Sequence, residues 1–276
     1  MKNARKHLRI SCYWLRAVTT VIVACLSWIP NASAGEPDSD GNMVKINFKY
    51  ARPLRYKFSH EYYRTTGEEP QYGGRTEATL DVNCESEDRE GALLIVRASD
   101  VKVPDKIKGL KPGAFEFKVR ITKSGKVASV EVPPEVLAPD DGASALRAGL
   151  IQQMVLTCFI EVPPRKLIVG ELWNASLTSA KAFVGPTSRA MGRGMIEEEL
   201  KCSVADSKSA KGPVTIIGGA DVRGRQHRIV AEVETEQGTL IYATRTVSFS
   251  EGEGDSQATR LVNIFRVYRP EPEHDH

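Results

Sequence analysis

The feature that most constrains the fold of this 276-residue chain is an alternation of apolar and polar residues with a period of two. It runs through Leu54-Tyr56-Phe58, Ala78-Leu80-Val82-Cys84, Phe115-Phe117-Val119-Ile121 and Ile229-Ala231-Val233. Successive side chains of an extended chain point to opposite faces, so the pattern predicts strands buried on one face and wetted on the other. Turn signals separate the runs at Gly73-Gly74, Glu90-Gly91, Pro112-Gly113, Ser124-Gly125, Gly218-Gly219 and Gln237-Gly238. Connections this short predict antiparallel hairpins and meanders. The clearest pairs are 115–122 with 126–132, and 229–234 with 239–249. They are alike in the way two related halves would be, although no residue identities recur at a fixed period.

One segment departs from that period. Over residues 142–160, Leu146, Leu150, Met154 and Cys158 recur every four residues, with Ile151 and Val155 beside them. That spacing puts them on one stripe of an amphipathic helix. Asp140 or Asp141 stands where an N-cap is wanted, Pro163-Pro164 stops any continuation, and Arg147 is the only basic residue on the polar side. A helix lying on a membrane surface carries a Lys/Arg-rich face, so this one is expected to pack across the sheet. After it, Val162-Pro163-Pro164-Arg165 reads as a rigid turn and Leu167 to Trp173 as the strand it enters, whose tryptophan is packed or at a rim.

The chain opens on five basic residues, Lys2, Arg5, Lys6, Arg9 and Arg16, with no acidic residue, followed by an apolar run from Ala17 to Ile29. Pro30 and Asn31 break the run, and Ala32-Ser33-Ala34 presents small residues where a signal peptidase reads them. Residues 1–34 are therefore read as a signal peptide cut between Ala34 and Gly35. A second route stays open, because Ile22-Val23-Ala24-Cys25 resembles the lipobox of bacterial lipoproteins, in which Cys25 would be acylated. Either way the protein is expected outside the cytoplasm, in the periplasm or beyond it, or anchored as a lipoprotein. Residues 35–42 then form a polar leader, 43–270 a single β-rich domain, and 271–276 a polar tail.

Loss of the five leader charges turns the formal net charge of +3 into −2. With both signs interspersed, nothing in the charge calls for nucleic acid as a partner. Three cysteines remain beyond the leader, Cys84, Cys158 and Cys202. An exported chain can pair two of them, and they can equally serve as small buried hydrophobes. No two have the close spacing of a zinc site.

Signs of catalysis are few. No G-x-S-x-G elbow, Walker A loop or H-E-x-x-H pair is present, Gly192-Arg193-Gly194 is too short for a dinucleotide loop, and neither a metal nor an organic cofactor is called for. His60 shares the period of Tyr56 and Phe58 and is expected at the interior or rim of a strand, whereas His227, after Arg223-Gly224-Arg225-Gln226, reads as surface. His274 and His276 lie in the tail. Glu197, Glu198 and Glu199 alternate across a strand, so at most two share a face. Tyr62, Tyr63 and Tyr72 could form an aromatic edge.

The order of pieces, with the Gly125-Lys126-Val127 hairpin and the Gly170-Glu171-Leu172-Trp173 run, resembles uncharacterised exported bacterial proteins similar to the lipoprotein-carrier (LolA-like) half-barrels. That resemblance covers residues 43–270. It implies a curved antiparallel sheet wrapped round an apolar concavity, with acyl chains as ligands. This chain offers one clear helix where those carriers use several, and it transfers no functional residue. The expectation is a mainly β fold, a curved antiparallel sheet with one amphipathic helix packed on it. Its function is non-enzymatic, the binding or carriage of an apolar, lipid-like ligand against Leu146, Leu150, Ile151 and Met154. The alternative is a solid-core module that meets an envelope protein.

Overall fold

The structure is a computed structural model that describes residues 43–50, 52–65, 69–104, 112–137, 143–176, 183–184, 199–207, 212–222, 224–251 and 259–270. The leader with Cys25, Ala34 and Gly35, residues 35–42, Asp140, Asp141, Gly192 to Gly194, Glu197, Glu198, and the tail with His274 and His276 lie outside these residues.

Within the described residues the chain forms β1 (Met43–Val44), β2 (Leu54–Thr65), β3 (Pro70–Glu87), β4 (Gly91–Lys102), β5 (Phe115–Thr122) and β6 (Val127–Glu131). A 3₁₀ turn (Pro134–Leu137) and the helix α1 (Ser144–Cys158) follow. Then come β7 (Leu167–Ile168), β8 (Leu172–Ser176), β9 (Phe183–Val184), β10 (Glu199–Ser207), β11 (Pro213–Val222), β12 (Arg225–Glu234), β13 (Leu240–Glu251) and β14 (Thr259–Tyr268).

β2 to β6 form one antiparallel meander and β10 to β14 a second, and the two expected hairpins, β5–β6 and β12–β13, lie one in each. They join where β14 pairs with β2, with Phe265 opposite His60 and Val267 opposite Phe58. β8 adds to β10 at one edge, antiparallel, and β9 adds to β6 at the other, parallel, making a twelve-stranded sheet. A separate two-stranded pair joins β1 to β7.

Chain connectivity requires the sheet to curve. Laid flat, twelve strands at their usual spacing would hold the two edges about 50 Å apart. Yet Ser176 on β8 and Phe183 on β9 are seven residues apart in sequence, a path of at most about 25 Å. The expected curved antiparallel sheet is what the chain builds, and among the described residues its edges do not pair with each other.

The alternating residues face the hollow of this curve. Phe58, Leu80, Leu94, Phe117, Val119, Ile121, Ile216 and Ile229 are all buried, and their register partners Ala78, Ala98, Val96, Ala92 and Ala231 are buried with them. The outer face is wetted and laced with cross-strand ion pairs such as Arg55 with Asp81 and Lys118 with Glu85, contacts of little energetic weight at such exposure.

α1 starts at Ser144 with Ala143 at the N-cap position, and the expected caps Asp140 and Asp141 lie outside the described residues. Arg147, expected on a polar face, is buried. Its Nε donates to the carbonyl of Val136 at 2.5 Å and its Nη1 to that of Pro112 at 3.3 Å. These bonds pin the first turn of the helix to the chain just before β5 and just after β6. Burial on α1 also extends past the expected stripe to Leu156 and Thr157, because the sheet bends round the helix and covers more than one of its faces. The Thr157 hydroxyl is satisfied by the Gln153 carbonyl one turn back, at 2.7 Å.

Candidate functional site

Ile151, Met154 and Val155 are fully buried, Leu150 nearly so, and Leu146 packs against the same core from a partly exposed position. The four residues expected to line a ligand site are thus brought together, as part of the main hydrophobic core.

The open space lies past the far end of the helix. An apolar cavity of about 30 Å³ is walled by Phe48, Tyr50, Tyr56, Cys158, Ile160 and Leu240, among others. Both tyrosines are buried, and burial pushes their hydroxyls well above the usual phenol range. None of Leu146, Leu150, Ile151 or Met154 lines this space. Beside it, sharing Leu54 and Thr239 in its wall, is a cleft of about 220 Å³ formed by Lys49, Arg52, Glu236 and Gln237.

A strap of residues 43–50 separates the two. It pairs through β1 with β7, then runs along the β12–β13 turn, where Asn47 N–H donates to the Thr235 carbonyl at 2.9 Å and Lys49 N–H to the Gln237 carbonyl at 2.8 Å. Phe48, stacked on Tyr50 with ring centroids 6.4 Å apart, sits where the β5–β6 and β12–β13 turns converge. Gly125 and Gly238 occupy those turns with positive φ, and a Cβ on either would come within 2.8 Å of Phe48. Glycine is needed at both for conformation and for clearance. The second turn is braced by Glu234, whose carboxylate accepts from Arg269 Nη2 at 2.6 Å and from the Thr239 hydroxyl at 2.7 Å. Arg269 first, and Thr239 with it, hold the Glu234 carboxyl below its ordinary range despite partial burial. On the opposite side Val162 N–H donates to the Ser124 carbonyl at 2.8 Å, tying the segment after α1 to the first turn.

A second group of polar residues lies midway along the hollow. One inward row reads Ile229, Arg245, Phe265, His60 and Thr76 across five strands. Arg245, only 2% exposed, donates from Nη2 to Gln153 Oε1 of α1 and lies over the Phe265 ring at 4.5 Å. His60 stacks on the other side of that row, its centroid 4.4 Å from Phe265, and shares a hydrogen bond with Asn263 at 3.0 Å. Burial lowers its pKa, opposed by the Asn263 bond and assisted by the Arg245 charge. His60 is therefore the satisfied strand histidine that its register predicts.

His227 corrects the sequence reading. It is buried, and burial, with the charges of Arg245, Arg225 and Arg228, lowers its pKa to about 4. The signal was there: the alternation of Ile229, Ala231 and Val233 extends back by one more step to His227. A basic approach segment hid it. Phe48, Lys49 and Arg52 were missed although Val44, Ile46, Phe48 and Tyr50 carry the two-residue alternation through the strap, because alternation marks the buried side and not where the segment lies against the sheet.

The remaining candidates are spread out. Cys84, Cys158 and Cys202 are free thiols on β3, the end of α1 and β10, so the pairing alternative is not realised. Burial pushes both Cys158 and Cys202 up to about 12. Tyr63 and Tyr72 meet edge to face at 5.6 Å, while Tyr62 turns toward His60. Trp173 is packed, its Nε1–H donating to the Glu161 carbonyl at 3.1 Å.

No protein-family model and no curated protein matches the sequence. Solved structures do. One described as "Lipid-protein interactions in lipovitellin" matches over 83% of this chain and 26% of that one, with 8% identity and a TM-score of 0.53. The ywiB protein from Bacillus subtilis, 7% identical over 77% of this chain and 91% of its own, gives a TM-score of 0.14, too low to carry an argument. This chain spans about a quarter of the lipovitellin chain, and what the two share is a β-sheet fold.

Proposed function

We infer that this is an exported, non-enzymatic cell-envelope protein that binds an apolar, lipid-like ligand at the strap end of the curved sheet. The observation that carries the reading is an apolar cavity inside the hollow, bordered by a larger surface cleft and divided from it by one short strap. The likeness to a lipovitellin structure described by its lipid–protein interactions supports it at the level of fold, and the LolA-like resemblance points the same way. The present cavity has room for about one water, against roughly 300–1,000 Å³ for ordinary ligand pockets. A lipid-sized ligand therefore requires this cavity to widen.

Native mass spectrometry of the protein purified from its own envelope tests this directly. A lipid-sized adduct lost on activation is expected, and the same spectrum distinguishes a chain beginning at Gly35 from one acylated at Cys25. A clean apo mass across preparations would sink the ligand reading.

A second reading rests on the outer face. Leu172 on the edge strand β8 is 68% exposed, and Ile217 and Val230, both 41% exposed, continue its row through Ser203. An apolar row running in from an edge strand is a surface on which an envelope protein could dock. Leu172→Lys should abolish capture of such a partner while leaving ligand adducts unchanged.

A further inference from the structure

We propose that the ligand is a single-chain amphiphile with an anionic head, its acid group held by Lys49 and Arg52 and its alkyl chain entering beside Phe48. This rests on the apolar-ligand reading above and adds the chemistry of the head and the route of the chain.

The cleft and cavity divide by polarity. The cavity is walled by aromatic and aliphatic side chains, while the cleft outside it carries Lys49 and Arg52 against a single acid, Glu236. An alkyl chain belongs in the first and a negatively charged head in the second, since a guanidinium and an ammonium bind carboxylate or phosphate through charge-assisted bonds. Leu54 and Thr239 wall both spaces, so one molecule can occupy both without leaving the surface they share.

The barrier between them is a single length of chain, seated in the core by Ile46 and Tyr50. Residues 45–50 have no regular structure, and two backbone hydrogen bonds, at Asn47 and Lys49, hold this stretch to the turn beneath. Phe48 is only half buried. Its ring stacks on Tyr50 and is met from two sides by glycine turns that offer it backbone and no side chain, so turning it outward is the move that would widen the cavity. Lys49 follows Phe48 directly, so a head group drawn to Lys49 lies at the displaced ring.

The test uses the mature protein and three probes of equal chain length: hexadecanoate, hexadecyl phosphate and hexadecan-1-ol. Binding is read by calorimetry on the unaltered protein and on the exposed double variant Lys49→Gln/Arg52→Gln. Either acid is expected to bind about tenfold more tightly than the alcohol, and the double variant to erase that preference. A preference for the phosphate identifies a phosphorylated head, and parity of the two acids identifies a simple anion. Equal binding of acids and alcohol, or a preference that survives in the double variant, overturns the inference while leaving the apolar-ligand reading in place. Failure of all three probes to bind overturns both.

Discussion

The backbone of Phe48 passes so close to Gly238 that a Cβ there would come within 2.7 Å of the Phe48 Cα. Because that neighbour is main chain, it cannot step aside as a flexible side chain would. Gly238→Ala must therefore strain the turn and also push the strap outward. Gly113, which shares the positive φ but has nothing within 4 Å of its missing Cβ, isolates the first cost. Gly113→Ala should lose about 1–2 kcal/mol, and Gly238→Ala about 1–3 kcal/mol more. Urea denaturation compares the two, and equal losses would mean that Phe48 is not clamped.

Met154 bears on whether α1 fills the hollow. It is 1% exposed and enclosed by the core, so Met154→Ala should cost about 2–5 kcal/mol. Leu146→Ala, at a partly exposed position on the same stripe, should cost less. A loss below about 1 kcal/mol at Met154, by the same denaturation assay, would show a loose helix roofing a soft space.

Acid should weaken the fold through His227. Its folded pKa lies near 4, below the 6.5 of an unperturbed histidine. The unfolded chain therefore binds a proton in that interval which the folded chain refuses. Stability is fully present above about pH 6.5, declines as the pH falls toward 4, and loses nothing further from this group below that. His60, shifted in the same direction, adds to the slope. Denaturant midpoints measured at pH 7 and 4.5 should differ less in His227→Phe than in the unaltered protein. An unchanged difference would remove His227 from the account.

Thiol chemistry offers an independent check on the interior. With burial holding Cys158 and Cys202 up to about 12, neither should react with iodoacetamide at pH 8 in the folded protein. Both, together with Cys84, should react in denaturant without prior reduction, because all three are free. Mass spectrometry counts the adducts, and a requirement for reductant would reveal a disulfide.

Much of this architecture could be read along the chain. Alternation at Phe115, Phe117, Val119 and Ile121 depends only on the two-residue repeat of an extended backbone, and Ser124-Gly125 and Gln237-Gly238 announced both turns. The same logic extended one step would have placed His227 inside. Arg147 could not be read this way, because an arginine on a helix is ordinarily solvated, and its burial depends on partners such as the carbonyls of Val136 and Pro112 that lie elsewhere in the chain.

The sequence by itself determined the local elements: strands of period two, one apolar helix, and glycines where the turns need them. Tertiary structure alone decided that α1 fills the hollow, that two distant turns meet at Phe48, and that Lys49 and Arg52 border an apolar cavity. The reason is physical. Periodicity records which side of a strand or helix avoids water, a property of neighbours in the chain. The curvature of a twelve-stranded sheet, and so the volume it encloses, depends on pairings between residues as far apart as His60 and Phe265.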